Sequence, residues 1–304
     1  LTWSRWRPVD FRAIVAVCSF SKTGTGRSGE DVAVTREEAE DQLIAAGHAD
    51  DDVFPLLDAA IACALHDLPF RDEMPVRRLS DAAASRLAER IKTESPDDAL
   101  AETLSADLGL NGDLLCYDDP ASTDVIDVTN RRRGLSAALA IFYLDAARRV
   151  GLSAAGVDFP NHFLLRVETP SGPVAVDPFS EGRVVMPSEL TRRALRAGLT
   201  PHIADRLDVL MAPVTDRQAL IRLQNVLFNR AIKAEDYERA ERSALRRALL
   251  DPEDHRPWLD VAAAREKQGA LTGAIDALAR ARAVSGEAAP VPEAAFDRLR
   301  IRLN

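Results

Sequence analysis

The stretch RRRGLSAALAIFYLDAARRVGLSAAGVDFPNHFLLRVE, Arg131 to Glu168, together with VAVDPFSEGR, Val174 to Arg183, decides how this chain is read. Its first half carries Leu139, Ile141, Phe142, Tyr143, Leu144 and Ala147, so apolar side chains fall on nearly every face. That spacing predicts a helix from Leu135 to Val150, buried in the middle of a domain. It closes on Arg148-Arg149-Val150-Gly151, with cations in the last turn and a glycine where a left-handed cap is wanted. The period then changes. Residues 157–167 and 174–178 read as two strands joined by the turn cluster Thr169-Pro170-Ser171-Gly172-Pro173. A hairpin folded there brings His162 to within about two residues of facing Asp177, because the turn sets the cross-strand register.

On the N-terminal side, Thr35 followed by Glu37 and Glu38 marks a helix start, and the pattern stays helical to about Leu110. Pro55, Pro69, Pro75 and Ser95-Pro96 separate the helices, and Gly109-Leu110-Asn111-Gly112 ends this part. Residues 1–33 are expected to be a loose extension, disordered or not native to the protein. Their short apolar run lacks a small-x-small cleavage site and does not read as a secretory signal. On the C-terminal side a period of 34 emerges. Leu227 repeats as Val261, Tyr237 as Leu271, Ala240 as Ala274 and Ala244 as Leu278, with Asp251-Pro252 ending the first unit. Trp258, Ala274 and Ala281 stand where a tetratricopeptide repeat wants one large and two small residues. The expected organisation is therefore a helical region over 34–115, a core over 116–215 and helical repeats over 216–304. A groove in the repeats, with Tyr237 and Trp258 as its contact residues, or the cleft of the core would hold a protein or peptide partner. A helical lid packed on the core is the simpler alternative.

Composition narrows the function classes. A formal net charge of −9 argues against a dedicated nucleic-acid or anionic-membrane binder, and no apolar run is long enough to span a bilayer. Cys18, Cys63 and Cys116 lack any CxxC spacing, and the five histidines are scattered singly. This excludes a disulfide scaffold and a zinc site, implies no cofactor, and points to a reduced, cytoplasmic setting.

Ser136 at a helix start, His162 on the next strand and Asp177 on the one after follow the order of nucleophile, base and orienting acid. A helix N-terminus favours an anion, an imidazole takes the proton, and a carboxylate fixes the ring. Serine is far less acidic than a thiol, and depends more on an aligned base and an oxyanion hole. Each residue also has an ordinary reading: Ser136 as an N-cap, His162 as a strand histidine, and Asp177 before Pro178 as a turn residue.

From Tyr117-Asp118-Asp119-Pro120 through the two quoted blocks, the chain resembles the transglutaminase-like domain of the SirB1 family. The resemblance is carried by the arginine-rich lead, Gly134, YLDAARRVGL, FPNHFLLR and DPF followed by Gly182-Arg183, and extends over roughly residues 50–285. It implies an α+β fold: a papain-like core with a central helix on an antiparallel sheet, preceded by helices and followed by tetratricopeptide-like helices. It also implies that His162 and Asp177 match the catalytic histidine and aspartate. Ser136 stands where such enzymes have cysteine, fifteen residues before Gly151. SirB1-type members commonly have proline there, so the family has lost the thiol; Cys116, in a loop twenty residues earlier, is no evident substitute. The expected function is a non-catalytic binding or regulatory module. The alternative is a hydrolase or acyl-transferase on peptide-like amides or esters using Ser136, His162 and Asp177.

Overall fold

The computed structural model describes residues 34–116, 118–286 and 293–303. The extension expected over residues 1–33 lies outside the described residues. Thr35 caps α1 (Arg36–Gly47) in a reciprocal capping box with Glu38. Next come α2 (Leu56–Asp67) and α3 (Met74–Arg90). Pro75, read from sequence as a separator, instead lies in the first turn of α3, where its missing N–H costs nothing. A short helix α4 (Pro96–Ala101), capped by Ser95, runs into a π-helical turn over Glu102–Asp107.

The architecture is α+β. Helix α5 (Val125–Arg131) precedes the central helix α6 (Ser136–Arg149), and a two-residue strand β1 (Asn111–Gly112) pairs in parallel with β2 (Arg133–Gly134) just before α6. The main sheet is antiparallel and ordered as in the chain: β3 (Ala154–Phe159), β4 (His162–Thr169), β5 (Gly172–Asp177) and β6 (Arg183–Val185). Sequence periodicity merges residues 157–167 into one strand, whereas the chain turns back at Pro160-Asn161 so that Phe159 pairs with His162. Proline has no N–H to give the ladder, and Asn161 takes a left-handed conformation with φ 58° that asparagine tolerates. The turn therefore sets His162 at the start of β4.

Helix α6 is buried along ten of its residues because it is covered on several sides. Phe163, Leu165 and Val167 of β4 and Val176 of β5 meet it on one face of the sheet. Helices α2 and α3 belong to the same hydrophobic cluster, as do Ala219, Leu220 and Leu223 of α10 (Asp216–Lys233). The opposite sheet face, with Val157, Phe159, Leu164, Ala175 and Val185, packs on α7 (Pro187–Arg196), α8 (Pro201–Ala204) and α9 (Leu207–Leu210).

Beyond α10, helices α11 (Tyr237–Leu250), α12 (Arg256–Lys267), α13 (Leu271–Ser285) and α14 (Glu293–Leu303) complete the described chain. Tyr237 and Leu271, the residues the 34-residue period relates, each open a helix. One face of α11 carries Arg239, Arg242 and Arg246, and all three converge on Asp67 at the end of α2, at 2.9, 3.0 and 3.3 Å. Burial alone would raise the Asp67 carboxyl; the arginines, led by Arg246, hold it well below the usual carboxylate range instead. Arg246 is only 1% exposed and also donates to Gln224.

Asp67→Ala would strand the Arg246 charge in the interior, at a cost of roughly 3 to 5 kcal/mol. Asp81→Ala, which removes an exposed partner of Arg149, is expected to cost about 0.5 kcal/mol or less. Urea denaturation of the two variants checks this; equal losses would mean that α11 is not anchored through Asp67.

Candidate functional site

The sheet and α6 bring Ser136, His162 and Asp177 into one neighbourhood. Ser136 is the first residue of α6, but it does not cap the helix. Leu135 occupies the cap position and supplies no side-chain bond. The Ser136 hydroxyl oxygen instead accepts the backbone N–H of Phe163 at 3.2 Å, tying the head of α6 to the residue next to His162. Among the described residues no hydrogen bond joins Ser136 to the His162 ring. Both side chains are half-buried.

His162 Nε2 lies 2.8 Å from Asp177 Oδ1. An ionised carboxylate only accepts, so in the neutral ring Nε2 carries the hydrogen and Nδ1 keeps its lone pair. The edge of Phe179 steadies the ring, with centroids 6.0 Å apart and planes at 81°.

Asp177 is fully buried and saturated with donors. Its Oδ1 also accepts from the backbone N–H of Phe179 and Ser180, and its Oδ2 accepts from the Ser180 hydroxyl at 3.0 Å and Arg193 Nη1 at 2.9 Å. Burial by itself would push this carboxyl up. The His162 hydrogen bond, followed by the hydrogen bond and charge of Arg193, more than offsets burial and holds the group well below the carboxylate range. The turn after Asp177 is close-packed: Gly182, at φ 72°, leaves no room for a Cβ, which would sit 2.8 Å from the Tyr143 hydroxyl and 2.9 Å from Ala101. That hydroxyl is buried without a hydrogen-bond partner, and burial, with the nearby Asp177 charge, raises its pKa.

Arg193 was not singled out from sequence. Its cue is the spacing of Glu189 and Arg193 on α7, an i,i+4 ion pair whose guanidinium reaches across to β5. Ser180 was missed as well, because its role depends on the tight turn that follows Asp177-Pro178.

Cys116 is exposed, in a loop whose tip also exposes Leu114 and Leu115. Although distant in sequence, the base of this loop is tied to the entrance of α6. Asp113 N–H donates to Gly134 O, Leu135 N–H donates to Ser122 O, and the Ser122 hydroxyl donates to Cys116 O. No hydrogen bond links the Cys116 thiol to His162 among the described residues. Tyr237 and Trp258 are not gathered here. Trp258 is buried between helices under the Arg280 guanidinium, and Tyr237 is half-buried at the start of α11. Among the described residues no three His, Cys, Asp or Glu side chains are grouped to hold a metal, and no helix is long and apolar enough to cross a membrane.

Residues 75–225 match the transglutaminase-like superfamily. Two proteins described as "UPF0162 protein", from Xylella fastidiosa strains Temecula1 and 9a5c, are each 29% identical, over 245 and 241 residues. Each alignment covers 76% of this chain and 84% of the relative. The match to the superfamily begins in α3, spans Ser136, His162 and Asp177, and ends in α10.

The depressed Asp177 carboxyl fixes a sign for pH dependence. Its stabilisation is fully present above the unfolded aspartate pKa of about 3.9 and is lost as pH falls below it toward the folded value. Asp177→Asn removes that titration. Denaturation curves from pH 6 to pH 3 should therefore fall less steeply for the variant than for the parent chain, and parallel curves would mean that the carboxylate contributes nothing through its charge.

Proposed function

We propose that the transglutaminase-like domain carried by this chain is a non-catalytic binding module of the SirB1 type, followed by tetratricopeptide-like helices, with a protein or peptide as its partner. The observation that carries this reading is the engagement of Ser136. A working serine nucleophile gives its proton to the base, so it needs the imidazole within hydrogen-bond reach. The Ser136 oxygen is held by the Phe163 N–H, and among the described residues it makes no bond to His162. The replacement of a thiol by a hydroxyl points the same way, since an unaided serine forms no nucleophilic anion near neutral pH.

In this reading His162 and Asp177 keep the sheet end and the head of α6 in register. The partner meets the core on the side where the half-buried His162 ring lies, or the helices from Tyr237 onward. Free Cys63 and Cys116 suit a reduced, cytoplasmic setting. The second reading is a hydrolase or acyl-transferase using Ser136, His162 and Asp177, and the 2.8 Å contact between base and acid favours it.

The two are separated by a serine-directed fluorophosphonate probe and by turnover of activated esters and peptide amides. The non-catalytic reading expects no label on Ser136, and rates for Ser136→Ala within about twofold of the parent chain. Labelling that disappears in Ser136→Ala, together with a large loss of rate, would establish the hydrolase instead.

A further inference from the structure

We infer that Arg193 is a positioning residue of this site: as the counter-ion of Asp177, it lets the carboxylate orient His162 without drawing a positive charge onto the ring. The inference rests on the arrangement of charges around the pair, and holds whether the site binds or reacts.

Among the described residues, charged and titratable groups near the pair come from β6, α7 and α6. Arg183 comes from β6, Glu189 and Arg193 from α7, and Tyr143 from α6, its hydroxyl kept neutral by burial. Arg183 meets both oxygens of Glu189, at 2.6 and 3.0 Å. Arg193 also touches Glu189, at 2.8 Å, and alone among these arginines it reaches Asp177, at 2.9 Å. Two carboxylates and two guanidiniums therefore balance to zero before His162 is counted. In a His-Asp pair that lacks such a counter-ion, the full charge of the carboxylate favours the imidazolium form of its partner. Here Arg193 shares the charge of that carboxylate, and the bond from His162 Nε2 to Asp177 Oδ1 orients the ring.

The backbone supports the same division of labour. Phe179 N–H and Ser180 N–H share Oδ1 with His162, whereas the Ser180 hydroxyl and Arg193 take Oδ2. Removing the guanidinium leaves the hydrogen-bonded cradle largely intact and changes mainly the charge of the set, so charge and architecture can be varied separately.

The test is the ratio of charged to neutral His162 at a fixed pH near 6.5, read from imidazole Cε1 signals of the full-length, carbon-13-labelled chain. The protein has five histidines, and the His162 signal is the one missing from His162→Gln. Arg193→Gln leaves the set one negative charge in excess, and should raise the ratio about tenfold, the size expected of a neighbouring charge at an effective dielectric near 20. Arg193→Lys, which keeps the charge, should raise it by much less. Glu189→Gln leaves one positive charge in excess and should lower it; because Glu189 is partly exposed, this arm decides the matter even if Arg193→Gln fails to fold. Leu190→Ala loosens the same helix without altering charge and should leave the ratio unchanged. The inference is overturned if Arg193→Gln folds and the ratio stays put, if Glu189→Gln raises it or leaves it where it was, or if Leu190→Ala moves it as far as Arg193→Gln does. Failure of these charge effects with no labelling of Ser136 would leave the non-catalytic reading standing; Ser136 labelling with the charge effects intact would do the reverse.

Discussion

A buried carboxylate must be answered by donors and by positive charge, and Asp177 is answered from every direction available to it. Its own turn gives two backbone N–H groups and a hydroxyl, β4 gives an imidazole and α7 gives a guanidinium. Each contribution fixes an element. The turn is held tight enough that only glycine fits at position 182, His162 is locked at the start of β4, and α7 is drawn across the outer face of the sheet. The head of α6 then closes on this frame through the bond from Phe163 N–H to Ser136. An unpaired carboxylate at this depth would cost several kcal/mol, so the convergence of these elements follows from one charge that has no water to turn to.

What could be read from the sequence follows from how local each cause is. The α6 helix is visible because apolar residues on all faces and a glycine at 151 need no tertiary context. The start at Thr35 is legible for the same reason, since a capping box is written within four residues. His162 and Asp177 are placed near each other by the turn at Pro170 to Gly172, again a local signal. The break at Pro160-Asn161 was also local, but alternating apolar residues on both sides masked it. Arg193 is only half legible this way: its i,i+4 spacing from Glu189 lies within PSELTRRALR, but Asp177 lies on another element, so the sequence does not show that this arginine reaches it while Arg192 and Arg196 stay exposed. Trp258 shows the converse limit, because a large aromatic at a repeat position serves equally to fill a core or to face a groove, and only packing decides.

The helices after α10 are joined to the rest by a different kind of contact. Alanine dominates their facing surfaces, at positions 240, 244, 274, 277 and 281, which lets the helices approach closely but buries little area per residue. The arginines of α11 on Asp67 supply direction that such small side chains do not, since a charged fork bonded to one carboxylate has a single register. Arg217 works similarly from α10, donating to the carbonyl oxygens of Gly47 and Leu250 and stacking on Phe54. These contacts fix where the last helices sit against α1 and α2.

The two arginine-carboxylate systems bear differently on function. Around Asp67 the guanidiniums outnumber the carboxylate, and the neighbouring His66 is pushed down to about 3, first by burial and then by Arg246 and Arg36, so no proton moves there near neutrality. Around Asp177 the count is even, and the imidazole is half-exposed rather than sealed. The ring of His162 is thus oriented through Nε2, and Nδ1 is left to accept a hydrogen bond from a bound group. The hydroxyl at position 136 is consistent with that balance: a thiolate would add a negative charge at the head of α6 that a charged imidazole would have to meet, whereas serine adds none and needs no such partner.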